Sequence, residues 1–201
     1  QSCKNLKQLD MRWLKVPRGD LESWQRCLRL LNCRALDLEF NEAFNDKALR
    51  EVARSCRCME HLRIAHTSVS DGGLDNISRG CFPALKGLDI GALQISRSSL
   101  SKFVTSTAVC QLSTVALYCQ VLLPSDLVML SERCTSLVHA DFDHDEDMGQ
   151  HSPNDLVAFL HKRGAGLETF RTGPMYDNGV GRALAASCPN LRRLQFGIVA
   201  Y

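Results

Sequence analysis

A short apolar cassette recurs eight times along this chain of 201 residues, about every 26 residues, and no other feature restricts the fold as severely. It reads NLKQLDM at 5–11, NCRALDL at 32–38, CMEHLRI at 58–64 and ALKGLDI at 84–90. It returns as QLSTVAL at 111–117, SLVHADF at 136–142, GLETFRT at 166–172 and NLRRLQF at 190–196. The first apolar positions are Leu6, Cys33, Met59, Leu85, Leu112, Leu137, Leu167 and Leu191, separated by 27, 26, 26, 27, 25, 30 and 24 residues. A unit this short cannot bury its own apolar side, so copies must stack on one another. The expectation is an array in which each unit touches only its neighbours.

A second register keeps the same period. After each cassette, turn formers precede Leu-x-x-apolar, as in F-NDKA-LREV (44–52), V-SDGG-LDNI (69–77) and L-LPSD-LVML (122–130). The leading residues of these segments fall at 21, 49, 74, 100, 127, 156 and 180, and their apolar spacing is helical. Caps are expected from Asn45 or Asp46, Ser70 or Asp71, Ser96, Ser125, Asn154 or Asp155, and Asp177 or Asn178. Within each cassette side chains alternate across a strand. Leu9 and Met11, Leu36 and Leu38, Leu62 and Ile64, and the equivalents through Leu194 and Phe196 are expected to face inward. Strands lie about 4.8 Å apart and helices about 10 Å, so stacking bends the array. The period and the L-x-x-L-x-L core specify an α/β leucine-rich repeat solenoid of about eight strands, curved, with parallel strands on the concave face and helices on the convex face. It is read as a single domain over 1–201. Neither end carries a polar capping repeat, so a segment of a longer chain is expected.

Charge and cysteine usage narrow the partners. A formal net charge of +2 argues against nucleic acid as the main partner. Apolar runs are far shorter than the roughly 20 residues a bilayer span requires, so no membrane span is expected. Five of the ten cysteines, Cys3, Cys56, Cys81, Cys134 and Cys188, sit three or four residues before a cassette's first apolar position. That recurrence suits small buried hydrophobes, read as reduced core thiols of an intracellular protein, cytoplasmic or nuclear, with an organelle left open.

The C-x-x-L-x-x-L-x-L frame is clearest at CKNLKQLDM (3–11), CTSLVHADF (134–142) and CPNLRRLQF (188–196). Over nearly the whole chain it resembles the cysteine-containing class of leucine-rich repeats. The resemblance implies a substrate-recognition region like those of F-box proteins in cullin-type (SCF) ubiquitin ligases. A smaller group with similar repeats serves as mitochondrial assembly or coupling factors, which gives the alternative of a structural subunit in a larger complex. The position after the cassette where the family carries Cys, Asn or Thr reads Leu14, Asn41, Thr67, Leu93, Gln120, Asp145 and Met175, so only two repeats keep it. No Pro-rich F-box helix is present, and a ligase adaptor would engage regions outside this segment.

No catalytic machinery is expected: G-x-S-x-G, H-E-x-x-H and the phosphate-binding G-x-x-x-x-G-K-[ST] are all missing. The glycines of Asn178-Gly179-Val180-Gly181 are read as turn chemistry at a helix start. Cys56-x-Cys58-x-x-His61 invites zinc, but two core thiols and a surface histidine fit the repeat frame better than a four-ligand site. The acidic insertion HADFDHDEDMGQHS (139–152) is read first as a solvated rim loop, second as a contact for a basic partner and third as a metal site. No metal or cofactor is therefore assigned. Trp24, Phe103 and Phe159 occupy helix core slots, whereas Trp13 and Tyr118 do not. The expected partner-binding row on the concave face is Arg12, Trp13, Asp37, Glu39, His61, Arg63, Asp89, Tyr118, Asp141, Asp143, Arg171 and Arg193. Its mixed charge suits a protein partner. Reversing Arg63 while truncating Tyr118 is expected to abolish binding at nearly unchanged stability.

Overall fold

Each cassette forms one short strand, and each turn-plus-Leu-x-x-apolar segment forms one helix. The computed structural model describes residues 6–16, 21–118, 122–143, 153–173 and 178–196. The strands are β1 Gln8–Asp10, β2 Ala35–Asp37, β3 His61–Arg63, β4 Gly87–Asp89, β5 Thr114–Ala116, β6 His139–Phe142, β7 Thr169–Thr172 and β8 Arg193–Phe196. They form one sheet in chain order, every pair parallel. The helices are α1 Leu21–Leu28, α2 Asp46–Ser55, α3 Asp71–Ser78, α4 Arg97–Thr105, α5 Pro124–Arg133, α6 Pro153–Arg163 and α7 Asn178–Ser187. This is the α/β leucine-rich repeat solenoid, strands on the concave side and helices on the convex side.

The register repeats unit by unit. Leu9, Leu36, Leu62, Leu88, Val115, Ala140, Phe170 and Leu194 stand opposite one another across the sheet. Leu36, Leu38, Leu62, Ile64, Leu88, Ile90, Val115, Leu117, Ala140, Phe142, Phe170 and Thr172 are all buried, as the alternation requires. Leu194 and Phe196 of β8 remain 41% and 40% exposed because no further strand covers them among the described residues. The helices complete the core with Leu49, Val52, Leu74, Ile77, Leu100, Leu127, Leu130 and Leu156. Trp24, Phe103 and Phe159 lie with them, and the Phe159 and Phe142 rings meet edge to face at 5.1 Å.

Strands stay short because the backbone turns sharply just past each one. Trp13, Phe40, His66 and Ala92 all adopt the left-handed region, with φ of 60°, 58°, 53° and 52°. Each donates its N–H to the next repeat: to Glu39, Ala65, Gly91 and Tyr118 carbonyls at 2.9–3.1 Å. The chain then leaves the sheet for the helix layer.

The cysteines follow burial. Cys33, Cys56, Cys134 and Cys188 are buried, and Cys33 Sγ lies 3.9 Å from Cys56 Sγ. Burial pushes the Cys81 thiol up to about 11 and Cys134 to about 12, so both stay protonated at neutral pH. All eight cysteines among the described residues are free thiols; Cys3 and Cys119 lie outside that set. Cys27 and Cys110 are exposed, so the core-thiol reading does not extend to them.

Helix starts match expectation unevenly. Asn45 Oδ1 accepts the Lys47 and Ala48 N–H groups at 3.0 and 3.1 Å, and Ser96 Oγ accepts Ser99 N–H at 3.2 Å. Ser70 holds the cap position of α3, but its hydroxyl donates to Asp46 Oδ2 at 2.7 Å, joining two repeats. Ser125 is not a cap. Pro124 opens α5 one residue earlier, since its fixed φ suits the first helical position. Asp126 carries the start instead: it accepts Leu123 N–H at 2.8 Å and pairs with Arg97 at 2.6 Å. Asn154 and Asp155 fall inside the first turn of α6, Asn178 is the first residue of α7, and Asp177 lies outside the described residues. Two 3₁₀ turns, Thr107–Gln111 and Gly164–Gly166, lead into β5 and β7 and were not anticipated.

The Asp126 pairing gives a test. Asp126→Ala removes a carboxylate only 2% exposed and strands Arg97, which costs about 3 kcal/mol. Ser125→Ala changes stability by less than about 0.5 kcal/mol. Urea denaturation of both variants distinguishes them.

Candidate functional site

The outward residues of the eight strands form rows that run across the sheet from repeat to repeat. The row nearest the strand starts reads Gln8, Ala35, His61, Gly87, Thr114, His139, Thr169 and Arg193. The central row reads Asp10, Asp37, Arg63, Asp89, Ala116, Asp141, Arg171 and Gln195. Two residues further along lie Arg12, Glu39, Gly91, Tyr118 and Asp143, and beyond them the left-handed Trp13, Phe40, His66 and Ala92.

Aspartates hold the central row for a local reason. Asp10, Asp37, Asp89 and Asp141 each accept the backbone N–H two residues on, from Arg12, Glu39, Gly91 and Asp143, at 3.0–3.1 Å. A short acceptor side chain thereby satisfies a donor where the sheet ladder is about to end. The bond also fixes each carboxylate, leaving one oxygen free to pair across the sheet.

Arg63 is the hub of that pairing. Its guanidinium reaches Asp37 at 2.9 Å, Glu39 at 3.2 Å and Asp89 at 3.4 Å. Arg12 joins Asp10 at 2.7 Å and Asp37 at 3.5 Å. At the other end Arg171 pairs with Asp143 at 2.5 Å and with Asp141 at 3.5 Å. Hydrogen bonds from Arg12 hold the Asp10 carboxyl down at about 2. Burial pushes Asp89 up to about 6 and raises Asp141, and the nearby Arg63 and Arg171 offset only part of that push. Burial, with Asp89, Glu39 and Asp141 nearby, also raises Tyr118.

Aromatic rings edge this network. Trp13 stacks on Phe40 with ring centroids 3.8 Å apart and planes 5° from parallel, and Phe40 stacks on His66 at 4.3 Å and 12°. Ala92 has no ring, and Tyr118 leans back into that repeat: its ring covers Gly91, where a Cβ would collide with it. Its hydroxyl ends 3.5 Å from Glu39 Oε1, and its ring lies 6.2 Å from His66. Trp13 is 65% exposed. The His61 ring similarly occupies the space that a side chain at residue 87 would need.

Every residue of the expected binding row that lies on a strand points outward, so the sheet brings Asp37, Glu39, Arg63, Asp89 and Tyr118 into one network with Arg12. Asp141, Asp143 and Arg171 form a second group. His61 and Arg193 line opposite ends of a trough of about 360 Å³ that runs across β3–β8. Phe40 and His66 were not singled out in the sequence, although they follow Trp13 at intervals of 27 and 26 residues. Cys56 is buried and His61 exposed, on opposite sides of the sheet, and among the described residues no group of three ligands stands ready for a metal. Of the acidic insertion, His139 hydrogen-bonds Thr169 at 2.7 Å; His144, Asp145, Glu146, Asp147 and His151 lie outside the described residues.

Arg63 is therefore no neutral place for charge reversal, which corrects the expectation of unchanged stability. Arg63→Glu sets a further carboxylate among three and costs about 2 kcal/mol in urea denaturation. A second test uses pH. Asp89 is faced by His61 and Arg63 from β3, by Asp37 and Glu39 from the β2 repeat, and by Tyr118 and Asp141 from β5 and β6. Its raised value means that the folded state holds the extra proton between pH 4 and about 6. The associated stability is present below pH 4 and lost as pH rises through about 6. Stability relative to Asp89→Asn is expected to fall by about 2 kcal/mol between pH 4 and 7. Asp10 acts oppositely, losing stability only as pH falls toward 2.

No protein-family model and no curated protein matches this chain. Among solved structures, a chain in the crystal structure of the Rad7 and Elc1 complex in yeast is similar, with a TM-score of 0.58 at 15% sequence identity. The match covers 90% of this chain and 57% of that one, so this chain spans little more than half the length of its structural neighbour. At that identity the likeness is one of fold, and it is the fold of a repeat solenoid.

Proposed function

We propose that this chain is a non-catalytic protein-binding module whose strand face grips a protein partner, and that it serves as a substrate-recognition region of an SCF-type (F-box) ubiquitin ligase. One observation carries the binding reading: the outward rows form a pre-assembled network in which arginines, carboxylates and stacked rings already hold their positions. Side chains ordered before binding lose little further entropy when a partner arrives. Trp, Tyr and Arg are also the residue types that dominate binding energy at interfaces. The ligase reading is supported by the cysteine-containing repeat frame and by likeness to a chain crystallised in a two-protein complex. The adaptor would engage parts of the protein outside residues 1–201, in the cytoplasm or nucleus. No helix among the described residues is long and apolar enough to cross a membrane.

The second reading, a structural subunit or assembly factor of a larger complex, mitochondrial or otherwise, is favoured by Leu123 and Val128. They are 45% and 43% exposed at the start and in the body of α5, where a neighbouring subunit would cover them.

Affinity purification of the full-length protein decides between the two. Recovery of a Skp-type adaptor and a cullin supports the ligase reading, and their absence beside a stoichiometric assembly supports the second. Trp13→Ala with Arg193→Glu changes exposed side chains outside the Arg63 network. The pair is expected to weaken binding of the recovered partner about 30-fold while the melting temperature stays within about 2 °C. Unchanged affinity would move the contact to the helix layer.

A further inference from the structure

Between Asp37 and Arg171 the central row alternates in charge with one interruption. From Asp37 the row runs acid, base, acid, then Ala116, then acid and base: Asp37, Arg63, Asp89, Ala116, Asp141, Arg171. Ala116 stands where the pattern calls for a cation, with a carboxylate in the adjacent strand on either side. By strand spacing those two carboxylates are about 9–10 Å apart.

Both flanking acids are short of a close partner. Asp89 and Asp141 each give one oxygen to the backbone N–H two residues on. Their other oxygens lie 3.4 Å from Arg63 and 3.5 Å from Arg171. Each arginine makes a shorter contact with another acid: Arg63 with Asp37 at 2.9 Å, on the side away from Ala116, and Arg171 with Asp143 at 2.5 Å, two residues past Asp141 in the β6 repeat. Asp89 is only 8% exposed. Independently of charge, the surface is hollow here. The trough of about 360 Å³ spans this interval, and Thr114 and Ala116 give it a floor of small side chains, while the His61 ring covers Gly87.

We propose that the trough over Ala116 is a socket for one arginine side chain of the protein partner, whose guanidinium bridges Asp89 and Asp141 and completes the alternating row. The proposal rests on the protein-binding reading and names the chemistry that the face selects. Arginine suits the socket better than lysine. Its planar fork of donors spans two carboxylates at once, as Arg12, Arg63 and Arg171 already do on this face. Across the central row and the row beyond it, six carboxylates (Asp10, Asp37, Glu39, Asp89, Asp141, Asp143) face three guanidiniums, in a chain whose overall charge is +2. These two rows are thus complementary to a basic group of the partner, while Arg193 of the first row adds a cation at the far end of the trough. The raised carboxyl of Asp89 agrees with a buried group whose one cation, Arg63, is shared with Asp37 and Glu39.

The test needs no natural partner. Full-length protein carrying ¹³C-methyl alanine is titrated at low ionic strength with N-acetyl-arginine amide, and the Ala116 methyl signal is followed. The expected result is a saturable shift. The apparent affinity should fall at least about tenfold with the neutral citrulline analogue, and again in Asp89→Asn/Asp141→Asn, since charge-assisted bonds to the guanidinium are lost. The lysine analogue is expected to bind more weakly than arginine. No saturable shift, an equal response to citrulline, or full affinity in the double variant overturns the socket. Ala116→Arg supplies a check from within the chain: building in the cation should raise the melting temperature, whereas Ala116→Gln should not. A failed titration removes the socket but leaves partner capture by the Trp13 and Arg193 face standing. A positive titration alongside failed capture removes the protein-binding reading and leaves an arginine site.

Discussion

Parallel pairing without slippage, repeated seven times, is the constraint on which the molecule rests. Once Leu9 faces Leu36 and Leu36 faces Leu62, every other position is placed within about 5 Å of its counterparts in the adjacent repeats. The inward rows then fuse into one continuous apolar core, and the outward rows become lines of side chains whose identities multiply in effect. An aspartate in one repeat is a surface residue; aspartates in four repeats, each tied to the amide two residues on, are a fixed charge array. The helices follow from the same pairing, because each needs only to cover the apolar side of its own strand and of the next.

The ionic network on that array contributes more to order than to stability. Arg12 and Arg63 are 45% and 48% exposed at the side chain, and pairs so open to water contribute little net free energy. What they do is hold Glu39, Asp37 and Asp89 in one geometry. The left-handed residues act in the same direction. A non-glycine residue at φ near 55° carries a strain of about 1 kcal/mol. Stacking of Trp13, Phe40 and His66 offsets such a cost and fixes the edge of the face.

Much of this was legible in the sequence, and the reason is periodicity. Two registers with one period located strands, helices and core slots such as Trp24, Phe103 and Phe159. Alternation within each cassette sorted Arg63 and Asp89 outward from Leu62 and Leu88. The same logic was blind where a residue belongs to neither face. Phe40 and His66 sit at the turn, so an inward–outward reading passed over them, although Trp13 had marked the position. Side-chain reach was hidden too. Nothing in the string shows that Arg63 gathers three acids from the repeats on either side of it, or that Tyr118 extends across two repeats toward Glu39. Cap assignment failed at Ser125 because Pro124, a stronger determinant of where a helix begins, preceded it.

Gly91 and Tyr118 share one volume. The tyrosine ring fills the place that any side chain at residue 91 would claim, so the two positions are not independent sites of variation. Alanine at 91 displaces the ring from this seat and fits without adjustment once the ring has gone. Change at one of the two positions therefore alters the setting of the other: a methyl at 91 swings the phenol off its neighbour and away from Glu39.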